Sequence, residues 1–404
     1  MAQVLESVKL ILVDCTANNN KVWQADLRSD GVQVQWGRVG SKLQSKLHPY
    51  AGRSKFETLR REKLSKGYEY AQTIDATAAS ATVDLKAIAL EQIQADNTAR
   101  QLIEYLTQEN IHDILAGTTL TYQGGGTFTT PLGAVTPAAI ARARQLLGQL
   151  ATTVDDRDRG QLLNSYLQLI PQKLGRHIHA GLFATTEAMQ QQHDLLDALA
   201  SVATVVSGSV FDCTLAVVPH DTPEGRSTFR HIKRQFESSI NVNHVSSSLK
   251  LKRVYEMKIP ALAARFEATL GNVQPLWHGT RASNLLSILK NGLIIPPASA
   301  SQCTGRMFGN GVYFSNQSTK ALNYATGYWN RSGSQNQRAF MLLVDVALGC
   351  EYRPRTRTSD VGNGKLSKNY DSLWIEPGSC NVINQEAIVY RVSQCNPRYL
   401  CEFS

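Results

Sequence analysis

The chain contains no apolar run of about 18 residues, so no segment is expected to cross a bilayer as a helix. Cysteine is sparse and scattered: Cys15, Cys213, Cys303, Cys350, Cys380, Cys395 and Cys401 include no C-x-x-C pair, which fits neither a zinc finger nor a disulfide framework. His177-Ile178-His179 has no cysteine or carboxylate cluster beside it, so it reads as two loop histidines and no metal is expected. Gly124-Gly125-Gly126 lacks the flanking strand-helix-strand pattern of a dinucleotide fingerprint and reads as a flexible loop. Internal repeats and low-complexity tails are absent. The opening stretch MAQVLESVKLILVDC has no basic n-region and no small-residue cleavage site, and it carries Glu6 and Asp14, so an intracellular protein is expected.

Acid is the scarcer charge. Lysine and arginine number 42 against 33 aspartate and glutamate, giving a net charge of +9 and a pI near 9.2. Such an excess favours a polyanionic partner, but enzymes without one carry it too. With 404 residues the chain has room for about two to four domains with real cores.

Periodicity divides the chain. Leu10 to Val13 is an apolar strand, Val22 to Leu27 alternates, Asp30-Gly31 marks a hairpin turn and Val32 to Trp36 alternates again. Phe56, Leu59 and Leu64 follow at helical spacing. Between Trp36 and Lys66 nine basic residues face only Glu57 and Glu62, a balance suited to a phosphate backbone, and an exposed Trp36 would stack on a terminal base. A solvated basic helix with Trp36 in the core is the other reading. Residues 71–86 are Ala/Thr-rich and read as a linker. Helices then follow: one carries Leu102, Ile103, Leu106 and Ile114, and another has Thr136 as N-cap and Pro137 at its first position. A third stops at Pro171, and the last starts near Thr186 and buries Leu195, Leu196 and Leu199. Strands resume over 211–218, 254–259, 338–348 and 387–392, with a short helix from Ser283 to Lys290 capped by Ser283 and ended by Asn291-Gly292.

Three stretches of the last third share no local motif, yet each supplies a polar group from a strand-like setting. They are His278-Gly279 in PLWHGT, Tyr313 in GVYFS and Glu386 in QEAIVY. Chemistry at a ribose carbon needs such a set. Nicotinamide leaves NAD as a neutral base, so an enzyme acting there stabilises a cationic ribose, and a carboxylate beside the sugar does this as it does in glycosidases. Glu386 is the candidate, and it could also accept the proton of an incoming hydroxyl. His278 would hold the sugar hydroxyls, the backbone at Gly279 would clamp the nicotinamide amide, and Tyr313 and Tyr324 offer flat faces for its ring. Taken singly, a His-Gly or a Tyr among apolar residues is core material. The ordered set is what points to a site.

From Leu276 onward this order resembles the catalytic domain of the poly(ADP-ribose) polymerases, whose His-Tyr-Glu triad matches His278, Tyr313 and Glu386. Asn284 in HGTRASN, Pro296-Pro297, Thr304-Gly305, Met307-Phe308-Gly309, Lys320 and Asn323-Tyr324 agree with it. Trp36-Gly37-Arg38-Val39-Gly40 resembles the signature of the WGR domain, which in DNA-dependent members grips DNA ends. LGAVTPAAI and YLQLIPQKLG resemble their α-helical regulatory domain.

The resemblance implies a multidomain α+β protein: a β-rich WGR module over 1–82, an all-α regulatory bundle over 88–206 and a mixed α/β ADP-ribosyltransferase catalytic fold over 207–404. It implies catalysis by Glu386, His278 and Tyr313. NAD is the implied substrate, held by His278, Gly279, Thr280, Asn284, Arg306, Tyr313, Lys320, Tyr324 and, on the adenosine side, Asp197, without a metal. DNA is implied on Trp36, Arg38, Lys42 and Lys46. The implied activity is a transfer of ADP-ribose, stimulated by DNA breaks, from NAD to protein side chains and growing chains, with release of nicotinamide. In the family the helical domain restrains NAD entry until DNA loosens it. Broken DNA and protein acceptors are the implied partners of a monomer that binds no membrane, in a eukaryotic nucleus or a bacterial cytoplasm or nucleoid.

Three positions depart from the family. Ala321 replaces a serine that holds the nicotinamide amide, a loss of about 0.5–1.5 kcal/mol. Ile294 replaces an arginine facing the adenosine, for which Arg306 is the candidate substitute, and Asn384 replaces a tyrosine near the acceptor, where Met307 and Asn310 are also placed. Two alternatives stay open: a mono-ADP-ribosyltransferase or NAD glycohydrolase, and a DNA-end binding protein with a weakened catalytic domain.

Overall fold

Alternation of apolar and polar residues builds the first module. Strands β1 (Val4–Asp14), β2 (Asn19–Arg28), β3 (Gly31–Arg38) and β4 (Gln44–Pro49) form an antiparallel meander. Helix α1 (Arg53–Ser65) leads to a two-residue strand, β5 (Glu69–Tyr70), on β1, so the sheet order is β4-β3-β2-β1-β5. Val8, Leu10, Trp23, Ala25, Leu27, Val32 and Val34 point into one core, as a period of two requires. Phe56 is the buried residue of α1 and reaches that core. The turn at Asp30-Gly31 forms where expected, and glycine is needed there: φ is +147° and an added Cβ would lie 2.3 Å from the carbonyl oxygen of His48.

This computed structural model describes residues 2–70, 85–117, 121–122, 128–130, 133–172, 174, 177–206, 212–295, 307–326 and 338–404. Most of the linker expected over 71–86, and the expectations on Gly124-Gly125-Gly126, Pro296-Pro297, Thr304-Gly305 and Arg306, lie outside the described residues.

Helix α2 (Leu85–Gln92), strand β6 (Gln94–Ala95) and helix α3 (Asn97–Gly117) come next, then a small sheet of β7 (Thr121–Tyr122), β8 (Phe128–Thr130) and β9 (Gly133–Ala134). Helix α4 (Pro137–Thr152) starts as its sequence dictates, with the Thr136 side chain accepting the Ala139 N–H and Pro137 in the first turn. Helices α5 (Asp156–Leu169) and α6 (Thr186–Val206) complete the set. An all-α bundle standing by itself is not evident. Two compact units are present, one of Met1–Asp84 with Ile111–Ala203, the other of Leu85–Asn110 with Thr204–Ser404.

The division follows from what each helix buries. In the first unit α5 packs on β1, and Asn164 Oδ1 accepts the Cys15 N–H at 2.9 Å. In the second, β6 adds a parallel strand to the catalytic sheet, Asp96 accepts the Val217 N–H at 2.6 Å, and the Tyr105 ring sits 5.9 Å from that of Phe340. Helical periodicity reports that a face is buried and not which body buries it.

The second unit continues with β10 (Thr214–Val217), α7 (Pro223–Glu237), β11 (Leu251–Lys258), α8 (Pro260–Arg265), β12 (Val273–Gly279) and α9 (Leu285–Asn291). After these come β13 (Val312–Phe314), α10 (Ser318–Ala325), β14 (Ala339–Ala347), β15 (Glu351–Tyr352), α11 (Ser359–Gly362), β16 (Ser372–Ile375), β17 (Glu386–Val389) and β18 (Cys395–Phe403). They make two sheets, ordered β12-β14-β18-β11-β10-β6 and β13-β17-β16-β15. Trp277, Phe236, Leu322, Met341 and Phe403 fill the core of the first, and Phe308, Leu373, Ile375 and Ile388 that of the second. Helix α9 ends at Gly292 as expected, but its N-cap is Asn284: a 3-10 turn over Ala282–Asn284 intervenes and leaves Ser283 buried. Among the described residues no helix is long and apolar enough to cross a membrane.

Because α1 is held to its sheet by Phe56, Phe56→Ala should cost about 3–5 kcal/mol and loosen the first module. Hydrogen exchange should then accelerate in β1 to β3 while β12 and β14 keep their protection.

Candidate active site

Backbone pairing and one hydroxyl bring the three motifs together. Trp277 and Ser315 exchange both N–H···O=C bonds at 3.0 Å, an isolated bridge between the end of β12 and the residue after β13. Strand β13 pairs antiparallel with β17, setting Tyr313 opposite Ile388 and Phe314 opposite Ala387. The buried Ser315 Oγ then donates to the Gln385 carbonyl at 2.8 Å, and the Asn316 N–H donates to Gln385 Oε1 at 2.8 Å. His278 and Glu386 are the immediate neighbours of Trp277 and Gln385, and Tyr313 lies two residues before Ser315. Ser315 and Gln385 carry no periodic signal, and the sequence reading passed over them.

Glu386 opens β17, which lies between β13 and β16, so the carboxylate stands on an interior strand and not at a sheet edge. It forms an ion pair with Lys320 of α10, whose Nζ also donates to the Gln385 carbonyl at 3.3 Å. Lys320 is only 7% exposed, so the pair is desolvated. Burial pushes the Glu386 carboxyl up against the opposing pull of Lys320, and pushes the Lys320 ammonium down against the pull of Glu386. Burial and the Glu386 charge also raise the Tyr324 phenol.

His278 Nδ1 lies 2.9 Å from the carbonyl oxygen of Tyr313. A carbonyl only accepts, so Nδ1 carries the proton and Nε2 is the acceptor left on the neutral ring. Burial holds this imidazole below its ordinary value of 6.5. The Tyr313 hydroxyl donates to the Gly309 carbonyl at 2.8 Å and accepts the Phe308 N–H at 3.0 Å, while Tyr390 donates to the Phe308 carbonyl at 2.6 Å. Thus Tyr313 orients His278 through its backbone and pins the turn at 308–309 through its hydroxyl.

Gly279 is required by packing. A Cβ there would lie 1.7 Å from the Ala321 carbonyl oxygen and 3.3 Å from Tyr324 Cβ, so α10 rests directly on β12 and brings Tyr324 over Gly279. Ala321 itself is buried and belongs to the core. Asn284 donates to Thr280 Oγ1 at 3.3 Å, and its buried Oδ1 has no hydrogen-bond partner. Asn310 Oδ1 is likewise buried without a partner among the described residues, whereas the Asn384 side chain hydrogen-bonds His244. His244 was missed in the sequence because a lone histidine carries no pattern. Its Nδ1 lies 2.9 Å from Thr319 Oγ1, and burial lowers its pKa against the pull of a hydrogen bond with Asn384, with the charge of Lys320 lowering it further.

The other described residues expected at a site belong to the first unit. Asp197 pairs with Arg144 at 2.6 Å within the first unit. Trp36 is half-buried and packs against the core of the first module. Arg38 donates to the Asn18 carbonyl at 3.2 Å and to Asn18 Oδ1 at 3.3 Å, while Lys42 and Lys46 are exposed.

Two outcomes follow from this geometry. Gly279→Ala should displace α10 with Lys320 and Tyr324, and a shift of about 1 Å is enough to lower kcat/KM for NAD on the order of 100-fold. The lowered His278 pKa fixes a sign: the neutral ring supports the fold above 6.5, and that support is lost as pH falls through the depressed value. The acid limb of kcat/KM should therefore have its midpoint below 6.5, and a midpoint at or above that value would contradict the neutral assignment.

Comparison with known proteins identifies two domains in the chain. The family model for the poly(ADP-ribose) polymerase catalytic domain matches residues 226–404, and that for the WGR domain matches residues 6–74. Human poly [ADP-ribose] polymerase 2 is 24% identical over 461 residues, covering 95% of this chain and 76% of the relative. Poly [ADP-ribose] polymerase 2 of Arabidopsis thaliana is 25% identical over 67% of this chain and 49% of its own length, and poly [ADP-ribose] polymerase of Drosophila melanogaster is 27% identical over 67% of this chain and 31% of its own. The chain therefore carries a WGR domain followed by a poly(ADP-ribose) polymerase catalytic domain, the transferase domain that takes its ADP-ribose from NAD.

Proposed function

We propose that this chain senses DNA breaks and responds by transferring ADP-ribose from NAD to protein side chains and then to the growing ADP-ribose chain. The observation that carries the reading is the desolvated Glu386–Lys320 pair, tied through Gln385 and Ser315 to the strand of His278. In the reaction the bond between ribose C1′ and nicotinamide breaks, its electron pair leaves with the neutral base, and an acceptor oxygen bonds to C1′. Glu386 stabilises the cationic ribose and takes the acceptor proton. Lys320 keeps that carboxylate ionised where burial alone would neutralise it. His278 receives a ribose hydroxyl at Nε2, Gly279 presents its backbone to the nicotinamide amide, and Tyr324 stacks on the ring.

The exposed Lys42 and Lys46 in the WGR module are the proposed phosphate contacts, with Arg38 and Trp36 beside them on β3. Such a partner places the protein with DNA, in a nucleus or a nucleoid. Restraint on NAD is proposed to act through α3 rather than through a free-standing bundle. Asn110 of α3 donates to the Ser283 carbonyl at 2.5 Å, on the turn that runs from Thr280 to Asn284, and both residues are buried. Asn110→Ala should release that turn and raise DNA-free turnover about 5- to 10-fold, roughly what one buried hydrogen bond supports.

Asn384, in place of a tyrosine near the acceptor, favours a second reading in which transfer stops at one ADP-ribose; product length on a gel separates the two. A pair of variants tests the role of Glu386. Glu386→Gln should cut polymer by orders of magnitude and also destabilise the fold, because an unpaired buried lysine costs about 3–5 kcal/mol. Adding Lys320→Met should restore the melting temperature and leave polymer synthesis lost. Recovery of polymer in the double variant would make the pair structural only.

A further inference from the structure

We infer that Tyr50 is a stacking platform for the terminal base of a DNA end. The inference rests on the DNA-end reading proposed above. Tyr50 directly follows β4, at the end of the strand where Pro49 pairs with Gly31 and far from the end where Gln44 pairs with Trp36. The six residues of β4 extend about 17 Å between these ends, so Tyr50 marks a contact separate from Trp36 and Arg38.

Its backbone is unusual. Among the described residues five non-glycine residues have positive φ: Asn18, Asn272 and Asn381, whose side chains suit that region, and Tyr50 and Cys380. Tyr50, at φ +60°, is held there by donation of its N–H to the Asp30 carbonyl at 3.0 Å and by the Ala51 N–H on the His48 carbonyl at 3.4 Å. The conformation leaves the side chain 97% exposed, more than any other large apolar side chain described. One exposed aromatic needs no explanation, but one kept in a sterically costly conformation with its whole ring in water does.

The surroundings are cationic. Lys46 and Lys55 both act on His48, whose imidazole is lowered first by burial and then by these two charges. The nearby acids are already engaged, Asp30 with Arg28 at 2.8 Å and Glu6 with Arg53 at 2.8 Å. A flat ring beside lysines that have no acid partner among the described residues is the combination that holds an unpaired base with its phosphates: the base stacks on the ring and the lysines meet the backbone. A partner lacking stacked bases would gain nothing from the ring.

The test uses full-length protein and a duplex carrying 2-aminopurine at its end or in its interior. The parent should quench the terminal probe and leave the internal one unchanged. Tyr50→Phe should match the parent, since the ring and not the hydroxyl stacks. Tyr50→Asn, which suits the same φ, should keep or raise the melting temperature, lose terminal quenching and weaken end binding about 5- to 150-fold. DNA-independent turnover should not change in either variant. Equal binding and quenching by Tyr50→Asn would overturn the inference while leaving the DNA reading intact, and so would equal quenching of the internal probe. A melting temperature lowered by Tyr50→Asn would make the ring a fold contact and overturn it as well. A parent that binds no DNA would remove the DNA reading and this inference together.

Discussion

The hydroxyl of Ser315 ties the catalytic unit together. Its backbone belongs to the bridge with Trp277 on the six-stranded sheet, and its side chain holds the residue before Glu386 on the four-stranded sheet. A group spanning two sheets has to be both buried and satisfied, because an unpartnered hydroxyl at that point would cost more than the contact returns. Here Ser315 Oγ donates to Gln385 and accepts the Gln317 N–H at 3.1 Å, so it is satisfied on both counts. The distance between the histidine strand and the glutamate strand is set by this short chain of bonds rather than by flexible side chains.

A desolvated ion pair beside that tie is a costly arrangement. Two buried charges seldom add net stability, and well-packed apolar residues of similar size would serve the fold as well. The pair is better matched to the proposed chemistry than to stability: Lys320 opposes the burial that raises Glu386, and in a place where water is scarce a carboxylate would act most strongly on a developing cation. Burial also lowers His278 and, with the charge of Glu386, raises Tyr324.

The helices between the two matched domains are divided between two compact units and do not form the all-α bundle that the resemblance implied. Residues 85–110 complete the catalytic sheet through β6 and cover Phe340 with Tyr105, while α4 to α6 belong with the first strands. A regulatory signal carried by α3 would need no separate bundle. The hydrogen bond from Asn110 to the Ser283 carbonyl ties that helix to the turn before Asn284 within a single unit. Such a contact can bias the turn between two settings, which is what coupling between sites requires.

Local pattern determined a good deal. The strands of the first module, the Thr136 cap with Pro137, the stop at Gly292 and the order of His278, Tyr313 and Glu386 could be read because alternation, capping and turn chemistry act over a few residues. The family could be read for the same reason, since its motifs are short and ordered. What the sequence left undecided depended on partners distant in the chain. Trp36 proved half-buried and Glu386 proved interior because burial depends on which strand lies alongside. Lys320 as the counter-ion of Glu386, Ser315 as the tie and Gly279 as the seat of α10 all involve contacts across 40 to 70 residues. No local period encodes those contacts, so the amino-acid sequence determined the parts and the reaction they suit, and packing alone decided their charge, orientation and distance.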